Sequence, residues 1–114
     1  MPKGTYLGDF EQLVMLALMR LGEGAYGMTV RRELEETADR RVSLGAIYAT
    51  LDRLEDKGLI SSSLGAPGNA RRGRAKRFIN VRPEGLKALQ ASLASMDRMR
   101  RGVDELDPLF GETS

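Results

Sequence analysis

The sequence predicts a mainly α fold with one β-hairpin: a winged helix-turn-helix followed by a C-terminal dimerisation helix. Three observations support this. Apolar residues recur at helical spacing in three segments before residue 58, two short alternating segments flank a Gly/Pro-rich loop, and a fourth helical segment follows Pro83. The order is therefore α-α-α-β-β-α, with the hairpin as the wing behind a helix-turn-helix.

Composition fits one domain and argues against catalysis. The 114 residues are 41% hydrophobic and 30% charged, and no apolar run is long enough to span a membrane, so we expect a cytoplasmic protein. The chain has no cysteine, histidine or tryptophan, which removes disulfides, thiolate nucleophiles, a histidine base and the usual zinc ligands. Its sixteen acids are scattered along helix-like segments. We expect no enzyme, cofactor or metal.

The first two helices are marked by apolar spacing. Asp9 is predicted to cap the first, "FEQLVMLALMRL", which ends at Gly22 and should be buried on most sides. The second, "MTVRRELEETA", places Tyr26, Val30 and Leu34 on one face and charged residues on the rest.

The third helix carries signals at both ends. Ser43 is its predicted N-cap, and Gly58 can adopt the left-handed conformation that ends it, with Leu59 folding back onto Leu54. Its apolar stripe consists of Leu44, Ile47, Leu51 and Leu54.

Positive charge is concentrated on the loop between the predicted strands, "LISSSL" and "AKRFINV". From Arg71 to Arg82 there are six basic residues and no acid, whereas the rest of the chain has 12 basic and 16 acidic residues, a net of −4. Such a loop fits a wing tip that contacts DNA phosphates or the adjacent minor groove. The residues predicted to do so are Arg71, Arg72, Arg74 and Lys76.

The outward side of the third helix is unusually bare. Gly45, Ala46 and Ala49 occupy its N-terminal half, although glycine inside a helix costs about 1 kcal/mol relative to alanine. A small surface would let the helix enter the major groove of DNA and touch thymine methyl groups; packing against a neighbouring helix is the alternative. Further along this side lie Asp52 and Arg53, with Tyr48 and Thr50 on the flanks. Asp52 would contact cytosine N4 or pair with Arg53.

The fourth helix needs a partner for its apolar seam. Pro83 stands at its first position, and Arg100 interrupts the seam, which is formed by Leu86, Leu89, Leu93, Met96 and Val103. The helix either folds back on its own domain or pairs with that of a second chain, which we favour. The expected organisation is a flexible arm (1–8), a DNA-binding domain (9–82), a dimerisation helix (83–103) and a frayed tail (104–114).

Two phosphate-binding motifs fail in context. "GEGAYG" matches G-x-G-x-x-G, but helix-like segments stand where the dinucleotide fold needs strands. "GNARRGRA" lacks the lysine and the hydroxyl of a P-loop and precedes a strand instead of a helix.

Several segments together resemble the PadR family of transcriptional regulators: "LGDFEQLVMLALMRLGEGAYG", "VSLGAIYATLDRLEDKGLI", "RRGRAKRF" and "VRPEGLKAL". Tyr26-Gly27 matches the pair that opens the family's second helix, and Tyr48 matches its third helix. The resemblance implies a winged helix-turn-helix dimer, usually a repressor, with the last helix and part of the first at the dimer interface. From the first helix we expect Phe10 and Val14 there. Position 82 departs from the family, with Arg where Thr or Ser often caps the last helix.

The expected function is DNA-binding transcriptional regulation, as a homodimeric repressor on a near-palindromic promoter site. Its expected partners are double-stranded DNA and a second copy of the chain. The resemblance also allows a small hydrophobic effector, because some members of the subgroup with one C-terminal helix bind flat aromatic or drug-like molecules between the subunits. Met96 and Met99 either line such a pocket or belong to the core or the interface. DNA contacts are expected at Tyr26, Gly27, Ser43, Gly45, Ala46, Tyr48, Ala49, Thr50, Arg53, Arg71, Arg72, Arg74 and Lys76. A winged helix that binds protein, and a small nucleotide-binding enzyme based on "GEGAYG", are the alternatives.

Overall fold

The computed structural model describes residues 6–65 and 76–106 and confirms the predicted fold class. Its elements in chain order are α1 (Asp9–Leu21), α2 (Gly27–Ala38), α3 (Leu44–Asp56), β1 (Ile60–Leu64), β2 (Arg77–Val81), α4 (Pro83–Arg100) and a short 3-10 helix (Asp104–Leu106). The two strands form one antiparallel hairpin, in which Ser62 pairs with Ile79. Within the described ranges, no helix is long and apolar enough to cross a membrane.

The start of α1 differs from the prediction in two ways. Gly8, not Asp9, is the N-cap. Its backbone N–H donates a hydrogen bond to the carboxylate of Glu11, three residues later, at 2.8 Å. Leu7 is buried and its N–H donates to Ser92 Oγ of α4 at 2.9 Å. The predicted flexible arm is therefore wrong at Leu7 and Gly8, which are fixed; residues 1–5 lie outside the described part.

The core forms where α1 lies against α2, α3 and the hairpin, because each contributes an apolar face. In α3 the predicted stripe is confirmed at Ile47, Leu51 and Leu54, which are fully buried, whereas Leu44 at the start of the helix is only half-buried. Other large side chains of the core include Val14, Met15 and Leu18 of α1, Val30 and Leu34 of α2, Ile60 and Ile79 of the hairpin, and Leu89 of α4.

Both predicted ends of α3 are confirmed. The Ser43 hydroxyl accepts a hydrogen bond from the Ala46 N–H at 3.1 Å. At the other end Gly58 has φ 77°, a value that few other residues adopt, and the Leu59 N–H donates to the Leu54 carbonyl at 3.0 Å. These two caps fix the length and direction of the helix.

The hairpin is joined to the body by backbone hydrogen bonds on both sides. The Ile79 N–H donates to the Ala25 carbonyl at 2.8 Å, between α1 and α2, and the Arg82 N–H donates to the Leu59 carbonyl at 3.0 Å. The base of the wing is consequently part of the globular domain.

The helix α4 packs on the domain with its first half only. Gly85, Ala88, Leu89 and Ser92 are buried, whereas each residue from 93 to 100 is half-buried or exposed. Because i, i+4 and i+7 positions share a helix face, the side of α4 that faces the core continues as Met96 and Met99 with no cover from the described part of this chain.

Two predicted interface residues are corrected by this arrangement. Val14 and Leu89 are 0% and 3% exposed in the single chain, so their side chains have no surface left for a second chain. The predicted helix 83–103 ends earlier, at Arg100, and Gly102 adopts φ 84°; Val103 therefore lies after the helix, is 40% exposed, and its interface role stays a prediction. The predicted frayed tail begins with the short 3-10 helix; its residues after 106 lie outside the described part.

Candidate nucleic-acid interface

The outward face of α3 is as bare in the structure as in the sequence. Gly45, Ala46 and Ala49 are exposed, and none of them carries a side chain larger than a methyl group. Ser43 stands exposed at the start of the helix with its hydroxyl occupied by the cap. A helix with such small outward side chains can enter the major groove of DNA so deeply that its backbone approaches the bases.

Tyr48 links this face of α3 to the start of α2. A Cβ placed on Gly27 would lie 2.7 Å from the Tyr48 Cζ and Oη atoms, so the ring lies directly over the glycine. Gly27 is itself buried, and we assign it this packing role in place of the predicted DNA contact. The Tyr48 side chain is left at the surface, with the residue 37% exposed.

Tyr26 links the start of α2 to the wing. Its ring meets Phe78 of β2 edge-on, with centroids 5.9 Å apart. The Lys76 ammonium lies 4.4 Å from the centre of the Tyr26 ring and donates to the tyrosine hydroxyl at 3.3 Å. The first turn of α2 contains no acid, so the positive end of its dipole is uncompensated beside this lysine.

Two of three residues near the end of α3 are placed differently from the predictions. Thr50 is 1% exposed, so its predicted DNA contact is wrong. The Arg53 guanidinium donates to the Thr50 hydroxyl at 3.0 Å and lies 3.9 Å from the Glu11 carboxylate; its side chain is 55% exposed, and its DNA contact stays a prediction. Asp52 pairs with Arg77 of β2 at 3.0 Å instead of with Arg53. This ion pair accounts for an acid on the outward side of α3 without a contact to cytosine.

Glu11 is a buried carboxylate that sequence reasoning missed. It is 8% exposed and accepts hydrogen bonds from the Lys57 ammonium at 2.9 and 3.2 Å, which ties α1 to the end of α3. Burial alone would raise the pKa of Glu11, but the hydrogen bonds from the Gly8 N–H and Lys57 lower it below the ordinary value. Its position at the start of an otherwise apolar helix was the available signal.

Only some of the basic residues that bear on DNA binding belong to the described part of the chain. Arg71, Arg72 and Arg74, predicted to contact phosphates, lie outside the described residues. Two exposed arginines that we did not single out, Arg40 and Arg41, precede the cap of α3 by two or three residues. A pair of basic residues just before an N-cap was the signal that could have found them.

A second surface runs along α4. Leu86 and Leu93 are each 37% exposed and Met96 is 53% exposed, while Phe10 of α1 is half-buried against the core. An open groove on this side is lined by Leu93, Ala94, Met96, Asp97 and Arg100. Arg100, which interrupts the apolar seam in the sequence, is bound to Asp97 at 2.9 Å and leaves the apolar side chains uncovered.

Comparisons with known proteins agree with this architecture. The model of the "Transcriptional regulator PadR-like family" matches residues 15–91, which are 77 of the 114 residues. A search of curated proteins found no match.

Solved structures extend the agreement to three dimensions. A PadR family transcription regulator from Clostridium difficile R20291 superposes with a TM-score of 0.71 at 20% identity, over 86% of this chain and 97% of that one. One from Eggerthella lenta DSM 2243 gives 0.67 at 28% identity, over 83% and 80%. A PadR-like regulator from Bacillus cereus strain ATCC 14579 gives 0.67 at 24% identity, over 85% and 89%.

Proposed function

We propose a specific function from the premise that this chain belongs to the PadR-like family of transcriptional regulators. It acts as a homodimeric repressor: two copies bind a near-palindromic promoter site and exclude polymerase from it. The observation that carries the proposal is the continuous surface from the bare face of α3, through Tyr48 and Tyr26, to Lys76 at the root of the wing.

The division of labour on this surface follows from its chemistry. The small residues Gly45, Ala46 and Ala49 suit close contact with base edges, which specify sequence, whereas basic groups suit phosphates, which position the protein. Lys76, the uncompensated start of α2 and the basic residues Arg71, Arg72 and Arg74 would hold the backbone on either side of the groove that α3 enters.

Dimerisation through α4 would supply the symmetry that a palindrome requires. The exposed side chains Leu86, Leu93 and Met96 are spread along α4, where a second α4 can cover them. A two-fold dimer of this kind would present its α3 helices about 34 Å apart, one turn of DNA.

The test is fluorescence anisotropy with DNA from upstream of the gene, with a scrambled duplex as control, each titrated at two salt concentrations. If six to ten phosphates are engaged, affinity should fall about a thousandfold or more between 50 and 200 mM salt. Tight binding to the upstream DNA with much weaker binding to the scramble supports specific repression. Absence of binding to both at low salt would favour the protein-binding alternative.

A charge placed on the bare face makes the test residue-specific. Ala49→Glu puts a carboxylate where the groove is expected, and like charges brought together across an interface cost several kcal/mol, so affinity should fall about a hundredfold. Lys87→Gln makes the same change of −1 in net charge at an exposed position of α4 outside the seam of Leu86, Leu93 and Met96, and should bind like the wild type. Equal binding by both variants would place the DNA elsewhere on the molecule.

A small apolar effector has a candidate place in the groove along α4, beside Met96. A ligand there would release DNA only if it bound the DNA-free dimer geometry more tightly than the DNA-bound one. The test adds an apolar fluorescent dye to the protein with and without upstream DNA: weaker dye binding in the presence of DNA supports the coupling, and equal binding contradicts it.

A further inference from the structure

Arg77 joins the hairpin to the third helix. It is the first residue of β2, and its two terminal nitrogens hold different carboxylates of α3: Nη1 lies 3.0 Å from Asp52 Oδ1, and Nη2 lies 2.7 Å from Glu55 Oε1. Its side chain is only 27% exposed. In the sequence this arginine belongs to the basic run, but its charge is already engaged by the protein.

The Glu55 carboxylate also binds the other strand of the hairpin. Glu55 Oε1 accepts a hydrogen bond from the Ser62 hydroxyl of β1 at 2.8 Å. Hydrogen bonds from Arg77 and Ser62 lower the pKa of Glu55 below its ordinary value. Partial burial would lower the pKa of Arg77, but its bonds to Glu55 and Asp52 raise it, so the Arg77 guanidinium and the Glu55 carboxylate both favour their charged forms.

Asp52 explains why this arginine matters for DNA. Its side chain is 64% exposed on the outward side of α3, one turn after Tyr48 and next to the surface proposed to meet DNA. Unpaired, this carboxylate would face phosphates of the same charge. Paired with Arg77, it becomes a fixed link between the helix expected to contact bases and the strand that leads to the wing tip.

We propose that Arg77 is a positioning residue: its guanidinium fork sets the wing against α3 and neutralises Asp52, and it does not bind a phosphate itself. The inference rests on the proposed function, because it assigns Arg77 a part within the proposed DNA surface. A planar fork with two carboxylate partners is a geometry that lysine cannot reproduce.

The salt dependence of binding separates the two roles that an arginine can have here. Loss of a phosphate contact weakens binding to all sequences alike and reduces the slope of log affinity against log salt by about one. Loss of a positioning contact leaves the slope unchanged. It weakens binding to the specific promoter site, here called the operator, more than binding to the scrambled duplex, because base contacts depend on the placement of α3.

The experiment compares Arg77→Gln with Arg82→Gln. Arg82 is also an ion-paired arginine of this segment, but it is more exposed, lies just after the opposite end of β2 and pairs with Glu84 at 3.5 Å. Each variant is titrated with operator and scrambled duplexes at several salt concentrations, and its melting temperature is recorded without DNA. For Arg77→Gln we expect about a tenfold loss on the operator, comparable to one mismatched base pair, with little change on the scramble and an unchanged slope.

Two further variants keep the result interpretable. Arg77→Lys retains the charge without the fork and should lose operator preference like Arg77→Gln; it also serves if the glutamine variant does not fold. Adding Asp52→Asn to Arg77→Gln should restore part of the operator affinity by removing the unpaired acid. Two results would overturn the inference: a salt slope reduced by about one with equal losses of affinity for both duplexes, or an Arg77→Lys variant that binds the operator like the wild type. Failure of the wild type to bind either duplex would instead refute the proposed function.

Discussion

Gly85 near the start of α4 offers the sharpest structural test. A Cβ at this position would lie 2.1 Å from the Leu59 carbonyl oxygen and 3.0 Å from both Leu59 C and Met15 Cε. The carbonyl cannot turn aside freely, because it accepts the Arg82 N–H at 3.0 Å. Contacts of real Cβ atoms are essentially never shorter than 3.0 Å. In Gly85→Ala, either α4 or the segment around Leu59 must therefore move by about 0.9 Å.

The magnitude follows from three opposing contributions. Overpacking of a dense site costs about 1–3 kcal/mol, and a strained or broken hydrogen bond from Arg82 to Leu59 costs about 0.5–1.5 kcal/mol more. Replacing glycine by alanine within a helix returns about 1 kcal/mol. We expect a net destabilisation of about 2 kcal/mol, which lowers the melting temperature of a chain of this size by about 10 °C.

The assay is thermal unfolding followed by circular dichroism at one fixed protein concentration, because the melting temperature of a dimer depends on concentration. Gly45→Ala is the matched control: it is also a helical glycine, but the nearest atom to its Cβ would be Ser43 Oγ at 3.9 Å. The control should be unchanged or slightly stabilised. If Gly85→Ala melted at or above the wild-type temperature, the close approach of α4 to Leu59 would be refuted.

Three further predictions concern the other elements. In Gly27→Ala the new Cβ meets the end of the Tyr48 ring at 2.7 Å, and the ring can swing away because it is the end of a side chain. We therefore expect a smaller loss of melting temperature than in Gly85→Ala, but weaker DNA binding by anisotropy, because the displaced ring belongs to the proposed DNA surface. Unchanged affinity would contradict this role of the ring. The lowered pKa of Glu11 means that its stabilisation is complete above the ordinary value of 4.5 and is lost as pH falls through the lowered value. Urea unfolding at about pH 6 and pH 3 should accordingly show a smaller pH-dependent loss in Glu11→Gln, and equal losses would count against the buried ion pair. Met96→Asp puts a charge on the exposed seam of α4 and should turn a dimer into a monomer in size-exclusion chromatography without loss of helix content; a dimer that persists would exclude this seam.

Much of the fold was predictable because local signals and burial agreed. The ends of α3 were placed correctly from Ser43 and Gly58, whose side chain and conformational freedom act within one turn of the chain. The hairpin followed from alternation around a Gly/Pro-rich loop. The failures at Val14 and Leu89 have one cause: an apolar seam shows that a side chain avoids water, but not whether its cover comes from its own chain or another.

The candidate site was predictable in its small residues and less so in its charges. Gly45, Ala46 and Ala49 lie on the surface as expected, since helical periodicity fixes their side of α3. The partners of Arg53 and Arg77 were not predictable, because Glu11 and Asp52 are 42 and 25 residues away in the sequence. An ion pair of such separation depends on how helices and strands pack, which no local pattern records.

Leu59 explains how a change at the α4 surface can reach α3. Its N–H ends α3 by donating to Leu54, its carbonyl accepts from Arg82 at the exit of β2, and Gly85 brings α4 against the same carbonyl. Three elements are thus fixed at one residue. Because a packed junction of this kind moves as a unit, a tilt of α4 in a dimer would be carried to the outward face of α3 instead of being absorbed by a linker. In a two-fold dimer, the spacing of the two α3 helices, and with it the fit to a palindrome, would follow the angle between the two α4 helices.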